Sequence, residues 1–421
     1  MVLEIRLSNF FSIKDEVVLD MRAANIKSKN ARELSHNIFE FNNTNVLKTV
    51  VIYGANASGK SNIIKAIRFC CMMILNSHNH NENVSFNYKK FKFGNYPQKP
   101  STFFIRFVCN NIEYEYAFSL MQNRVLTESL HYYPNGRIAK IFERDEQKGK
   151  TKKEKYDFGS VLKSPMSVAE NTSDKTLYLS RASQMDRDIA KELYLYFNST
   201  FILSYLNYDA AQIEHLFRNN KIRLLEALQI ADSDIVDIQI KKIPVQGKAF
   251  NVVLRGSELQ DVTLKDVIQD HLQITTTHKT DSSVKFDLLS EESEGTKKLF
   301  IVMLSILDII ANNKVLLVDE IGESLHTDII EYIFNLFRAS NKAQLICSTH
   351  NTRFLDLTKF RKDQFYFVNK KEDGSTDLYS LFDYSDFRDT MDLEKAYLQG
   401  RFDAVPFVND DIDNLKQLVN G

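Results

Sequence analysis

The stretch that decides the fold runs Val46-Leu47-Lys48-Thr49-Val50-Val51-Ile52-Tyr53 and continues at once as Gly54-Ala55-Asn56-Ala57-Ser58-Gly59-Lys60-Ser61. The first part is an apolar run that reads as a buried strand and stops abruptly at Gly54. The second fits the spacing G-x-x-x-x-G-K-[ST]. From Asn62 to Leu75, residues Ile63, Ile64, Ile67, Phe69 and Cys71 supply one apolar face of a helix. Strand, glycine loop and helix, in that order, let backbone N–H groups curl around a phosphate while the positive end of the helix points at it. On that reading Gly54, Asn56, Ala57, Ser58, Gly59 and Asn62 cradle the anion. Lys60 reaches the β and γ oxygens, and the Ser61 hydroxyl holds Mg²⁺. The plain alternative, a glycine-rich turn with an exposed lysine, accounts for neither flank.

Further along lies Val315-Leu316-Leu317-Val318-Asp319-Glu320. Four apolar residues make a buried parallel strand, and the two acids fall at its carboxyl end, where open α/β sheets bind ligands. Asp319 is expected to hold Mg²⁺ through water and Glu320 to polarise the attacking water. Alone, two acids after a strand are a solvated turn; the upstream loop makes them its partners. Ser348-Thr349-His350 closes another apolar strand, Gln344–Cys347, and brings His350 to the same sheet edge for a γ-phosphate contact. A fourth segment, Leu289-Ser290-Glu291-Glu292-Ser293-Glu294-Gly295-Thr296-Lys297-Lys298, precedes an apolar helix. Taken by itself it reads as Ser293 capping that helix.

The remaining chain supplies the frame. Residues 2–7 alternate apolar and polar as a strand does. From Ser101 to Glu143 the period is two, with Thr102–Cys109 and Ile112–Phe118 flanking a hairpin turn at Asn110-Asn111. More strands are expected near Val125–Tyr133 and Ile138–Phe142. The charge run Arg144–Lys155 reads as a solvated loop. Residues 185–235 are helical and mixed in charge, and Ile235–Ile243 and Ala249–Leu254 read as strands divided by Pro244 and Gly247. Past Leu288 helices Thr296–Ala311 and His326–Phe337 alternate with the strands 315–318, 344–348 and 364–368, an α/β pattern. The expected domains are 1–165, 166–285 and 286–421.

Composition narrows the class. The 421 residues are 43% hydrophobic and include 30 Phe and 18 Tyr, enough for a large core, which excludes global disorder. Lys+Arg number 54 against 55 Asp+Glu, so no whole-chain basic field advertises nucleic acid. Cys70, Cys71, Cys109 and Cys347 lack the spacing of a zinc site and read as core residues. The opening MVLEIRLSNF is no signal peptide, and the longest apolar run, Leu299 to Ile310, is too short to cross a bilayer. A soluble, cytoplasmic protein without a membrane partner is expected.

Taken in order, the P-loop, a distant Ser-x-Gly-x-Lys, strand-Asp-Glu and strand-Thr-His resemble the ABC-type ATPase heads of the SMC, Rad50 and OLD group. In detail the chain is similar to the AAA15-type ATPase family of bacterial antiphage and abortive-infection loci, such as the ATPase subunit of PARIS or of RloB-associated loci. The residues that carry this are Leu7-Ser8-Asn9-Phe10-Phe11-Ser12-Ile13, Ile52 through Asn62, Ser348-Thr349-His350-Asn351-Thr352 and Glu394-Lys395-Ala396-Tyr397-Leu398-Gln399-Gly400-Arg401-Phe402. The resemblance covers both lobes of the head; the middle matches in position only. It implies an ABC-type P-loop ATPase head, with a mixed sheet, flanking helices, an antiparallel β lobe and an inserted helical arm. It further implies ATP and Mg²⁺ as cofactors, with Lys60, Glu320 and His350 catalytic and Ser61 and Asp319 on the metal. Ser293 and Gly295 become the signature that caps a γ-phosphate held by another subunit. Glu294 stands where the best-known ABC proteins have Gly, which implies slow hydrolysis. Leu325-His326, after Gly322-Glu323-Ser324, falls at the family's dimer-facing loop, and adenine is assigned only to the segment near Phe11 and Ser12.

The function this implies is that of an ATP-dependent sensor and switch in an antiphage, toxin-antitoxin-like system. Its partners would be a second copy of itself, as a head-to-head dimer or a higher homo-oligomer, an effector of the Toprim or RloB type from the same locus, and a phage-encoded trigger. No nuclease-like carboxylate cluster follows the head, which separates the chain from OLD proteins. The alternative is an SMC/Rad50-like, ATP-dependent DNA-binding or repair protein. Against it, Arg218, Lys221, Arg223, Lys241 and Lys242 are interleaved with acids, and 185–235 holds at most a short helical pair. The ATP subunit of a membrane transporter, a third reading, would lack the long arm insertion.

Overall fold

Apolar runs of two periods build two kinds of sheet. The computed structural model describes residues 1–81, 85–203, 209–231, 234–255, 258–323, 325–388, 390–405, 412 and 419. The chain divides into one unit made of Met1–Leu203 with Asn312–Gly421 and another made of Ser204–Ala311.

In the first unit a six-stranded sheet runs, in spatial order, β11 (Phe201–Ile202), β15 (Val315–Val318), β16 (Gln344–Ser348), β5 (Thr49–Gly54), β17 (Phe365–Lys370) and β18 (Thr376–Ser380). The first five are parallel, and only β18 runs antiparallel, as the return arm of a hairpin. Every residue of β5, β15 and β16 is buried, as continuous apolar runs in a sheet covered on both faces require. A second, wholly antiparallel sheet has the order β10 (Tyr156–Phe158), β9 (Ala139–Asp145), β8 (Arg124–Tyr133), β7 (Ile112–Met121), β6 (Ser101–Cys109), β1 (Val2–Ser8) and β2 (Val17–Asp20). Asn110 and Asn111 both have positive φ, 47° and 61°, the geometry of the tight turn that their sequence predicts between β6 and β7. A ribbon of β3 (Ile38–Phe41) and β4 (Thr44–Leu47) leads into β5.

Helix α2 (Lys60–Asn76) joins the two sheets, after the short α1 (Lys29–Glu33). Its buried face of Ile63, Ile64, Ile67, Cys71 and Ile74 shares one core with Ile5 and Leu7 of β1, Phe103 and Phe107 of β6, and Val50 and Ile52 of β5. Each such fully buried side chain contributes roughly 1.5–3 kcal/mol. Helices α5 (Tyr178–Gln184) and α6 (Asp188–Thr200), after α4 (Pro165–Glu170), pack on α2 and belong to this unit.

The charge run 144–155 is not all solvated loop. The Arg144 guanidinium is buried, donating to Thr176 O at 2.6 Å and lying 3.6 Å from the buried Glu128 carboxylate. A buried acid needs a cation beside it, which is what draws this arginine inward. The run ends in α3 (Lys152–Lys155), capped reciprocally by Thr151 and Glu154.

The second unit contains α7 (Ala210–Ile230), which supplies the expected helix, and α8 (Glu294–Ala311), which packs on it. Between them runs a hairpin of β12 (Ile235–Arg255) and β13 (Glu258–His278), with β14 (Lys285–Asp287) pairing on β13. The two short strands expected at 235–254 are one strand. It passes through Pro244 because β12 is a sheet edge, where a missing N–H can face outward.

Near the C-terminus, after α9 (Thr327–Ala339), α10 (Leu393–Leu398) and Phe402 cover β17, with the Phe402 ring stacked 4.7 Å from that of Phe367. Residues 389, 406–411, 413–418, 420 and 421 lie outside the described residues, as does Ser324 of the expected dimer-facing loop.

Candidate functional site

The carboxyl ends of β5, β15 and β16 meet in register. Val318 lies beside Cys347, and Ser348 beside Ile52, so the residues that follow each strand emerge at one edge. There Asn56, Ala57, Gly59, Lys60, Ser61, Asn62, Asp319, Glu320 and His350 line an open pocket of about 400 Å³, with Ser12, Lys370 and Gly374 completing it. That volume lies in the ordinary range for small-molecule sites.

On the β16 side, Ser348 organises both acids. Its Oγ donates to Asp319 Oδ1 at 2.7 Å and accepts from the Glu320 N–H at 2.8 Å. Glu320 sits at φ 54°, a left-handed conformation that costs a non-glycine residue energy and is sustained here by those bonds. Its Oε1 accepts the His350 N–H at 3.1 Å, and His350 Nε2 stands 3.6 Å from Oε2. Burial, and next the Lys60 cation, hold the His350 imidazole below its ordinary pKa against the pull of Glu320 and Asp319, so it is neutral at pH 7. Tyr53 Oη donates to Asn351 O at 3.0 Å and fixes the loop beyond.

Lys60 is buried, and burial lowers its pKa, opposed by Glu320 and Asp319. Its ammonium donates to Gly54 O at 2.7 Å and Ala55 O at 3.1 Å. The loop turns through Ala57 at φ 63° and Gly59 at φ 115°, and a Cβ on Gly59 would collide with Thr376. Ser58 Oγ is buried without a hydrogen-bond partner. A lysine cation held by carbonyls at the start of a helix, in a pocket it shares with two carboxylates, fits a polyphosphate and its Mg²⁺.

On the β17–β18 side a chain of donors braces the loop. Asn62 Nδ2 donates to Ser12 Oγ at 2.6 Å, Ser12 Oγ to Thr376 Oγ1 at 2.6 Å, and Thr376 Oγ1 to Ser58 O at 2.9 Å. Ser12 comes from a turn in which Asn9 and Phe11 have positive φ, 50° and 49°, closed by Phe11 N donating to Lys89 O at 2.7 Å.

Of the residues singled out from sequence, the pocket collects Asn56, Ala57, Gly59, Lys60, Ser61, Asn62, Asp319, Glu320 and His350, while Gly54 and Ser58 lie just beneath it. Ser293 and Gly295 belong to the second unit, exposed at the start of α8. There Ser293 Oγ accepts the Thr296 N–H at 3.1 Å, the cap its isolated reading predicts. Thr376, Lys370, Gly374 and the bridging role of Ser348 escaped the sequence reading. Only Ser348 had a local signal, its place beside Thr349-His350.

The sequence profile of the family described as "AAA domain, putative AbiEii toxin, Type IV TA system" matches residues 50–356. No curated protein matches the chain. Among solved structures it is similar to an SMC head bound to the C-winged helix domain of ScpA, at 15% identity over 94% of this chain and 99% of that one with a TM-score of 0.43. It is also similar to the SMC head domain from Thermotoga maritima, at 13% identity over 90% and 98% with a TM-score of 0.39. The profile spans well over half of the chain and includes the P-loop, both acids and His350, so the protein belongs to this family of AAA domains.

Proposed function

We propose that the protein is the ATP-driven switch subunit of an antiphage, toxin-antitoxin-like system of the AAA15 type, controlling an effector nuclease encoded beside it. The observation that supports this most is the convergence of Lys60, Ser61, Asp319, Glu320 and His350 in one pocket, in a family whose description places it in toxin-antitoxin systems. In this reading Lys60 leaves its carbonyl partners for the β and γ oxygens, and Glu320 orients and polarises the attacking water. Neutral His350 donates to the γ-phosphate. Ser61 and Asp319 hold Mg²⁺, which neutralises charge developing on the phosphate oxygens. Ser293 and Gly295 cap the γ-phosphate of a second subunit, so ATP draws two heads together and slow hydrolysis parts them. The protein works in the cytoplasm, as a homodimer or a higher homo-oligomer.

The test is native mass spectrometry of the protein co-expressed with its genomic neighbours, with and without ATP, for wild type and Glu320→Gln. The expected result is an ATP-dependent oligomer that accumulates in Glu320→Gln and carries a co-purified protein, with turnover lowered about 100-fold or more. Unchanged turnover would remove Glu320 from its role. A partnerless protein that retains DNA in ATP would move the assignment to an SMC/Rad50-like clamp.

A further inference from the structure

We infer that Phe93 is the stacking face for the nucleobase, at the edge of the pocket formed by Gly374 and Lys370. The inference rests on the nucleotide reading above and adds to it the end of the ligand which that reading leaves without a receptor. Strand order fixes the direction in which a nucleotide must lie. Glu320 and His350 follow β15 and β16, on one side of the P-loop strand β5, and mark the reacting γ end. Lys370, Gly374 and Thr376 come from β17, β18 and their turn, on the other side of β5. The nucleoside therefore lies toward the β17–β18 hairpin.

At that hairpin Gly374 lines the pocket at φ 78°, and the Phe93 ring closes on it. A Cβ added to Gly374 would lie 3.2 Å from Phe93 Cε2 and 4.0 Å from Lys370 Cε, so ring and lysine stem flank the bare turn. Phe93 is nonetheless 62% exposed, more than Phe11 at 37% or Phe382 at 46%. Its partner Phe91, 5.5 Å away edge-on, is buried and held through its N–H by Asn9 Oδ1, so the exposed ring is carried on a fixed support. Phe11, the other exposed aromatic nearby, is turned onto Phe10 at 5.0 Å. Lys370 makes no ion pair among the described residues and lines the same pocket, where α- or β-phosphate oxygens would meet its ammonium. An aromatic face binds every base, so this edge favours nucleotides over bare polyphosphate without choosing between purines.

The chain contains no tryptophan, so Phe93→Trp installs a single reporter. Its fluorescence is expected to be quenched by ATP and to stay unchanged with inorganic tripolyphosphate, with calorimetry reporting binding of both. In Phe93→Ala, ATP affinity should fall about 10- to 100-fold, the usual worth of one stacked base, while tripolyphosphate affinity holds. Lys370→Met should weaken both ligands together. A reporter blind to bound ATP, or a Phe93→Ala variant that loses both ligands equally or neither, would overturn the assignment to Phe93 and leave the P-loop reading standing. A wild type that binds neither ligand would overturn the nucleotide reading, and the stacking face with it.

Discussion

The two sides of β5 achieve rigidity in different ways. On the β16 side charged groups are held by short local bonds: Ser348 grips Asp319 and the Glu320 backbone, and Glu320 grips the His350 backbone. On the β17 side neutral hydroxyls and an amide, drawn from residues 12, 62 and 376, pass one chain of hydrogen bonds to the P-loop carbonyl of Ser58. The first side can perform chemistry because its groups carry charge and poised protons. The hydroxyl chain of the second fixes where the loop sits, since it offers shape without charge. On the proposed function, catalysis and positioning are thus divided across one strand.

The sharpest way to break this comparison is to remove the residue both sides serve. Lys60→Ala should lower nucleotide affinity by about 100-fold, because charge-assisted hydrogen bonds contribute roughly 1.5–3 kcal/mol each. It also strips Gly54 O and Ala55 O of their donor, so a modest drop in melting temperature is expected alongside. Calorimetric titration with ATP reads the first and thermal melting the second. Binding that survives the substitution would mean the loop backbone alone holds the phosphates.

The same division explains what the sequence disclosed. The β16 side was legible because each of its pieces is contiguous: Gly54 through Ser61, Asp319-Glu320 and Ser348-Thr349-His350 are short words with few other meanings. The β17 side was legible only in part. Asn62 and the segment at Ser12 were singled out for the nucleotide, but Thr376 is an ordinary polar residue, and nothing at position 376 announces contact with position 12. Only the parallel pairing of β17 on β5, followed by a hairpin, brings them together. The long hairpin of the second unit was hidden for a different reason. Pro244 and Gly247 usually end a strand, and only an edge position lets one continue past them. Arg144 was misread within a charge run because its buried partner Glu128 lies on a neighbouring strand, invisible to local pattern.

A gentler disturbance separates positioning from chemistry. Thr376→Val keeps shape but deletes the hydroxyl that donates to Ser58 O and accepts from Ser12. Losing these bonds should weaken ATP binding about 5- to 20-fold, in line with roughly 1 kcal/mol per neutral hydrogen bond. Turnover at saturation should change little, and Thr376→Ser should restore affinity. If Thr376→Val instead lowers saturated turnover with affinity intact, the β17 side takes part in chemistry and the division across β5 fails.

The smallest effect expected is in pH dependence, and it tests whether the β16 side is poised as its contacts require. Burial and the Lys60 cation both lower the His350 pKa, so the folded protein takes up this proton only below the ordinary value of 6.5. The unfolded chain binds the proton first, so the stabilising contribution of neutral His350 is present above pH 6.5 and is lost as pH falls below it. The ring is nearly half exposed, so screening keeps the stability change under about 1 kcal/mol. The clearer readout is kinetic, because kcat/KM follows the free enzyme. It should be flat from pH 7 to 8 and decline only below 6.5, with that decline absent in His350→Gln. In Lys60→Ala the His350 ring signals, followed by NMR, should titrate at higher pH than in wild type, since one of the two causes of the depression is gone. A titration unmoved by loss of Lys60 would show that burial alone sets the proton, and that lysine and histidine act on the phosphate independently of one another.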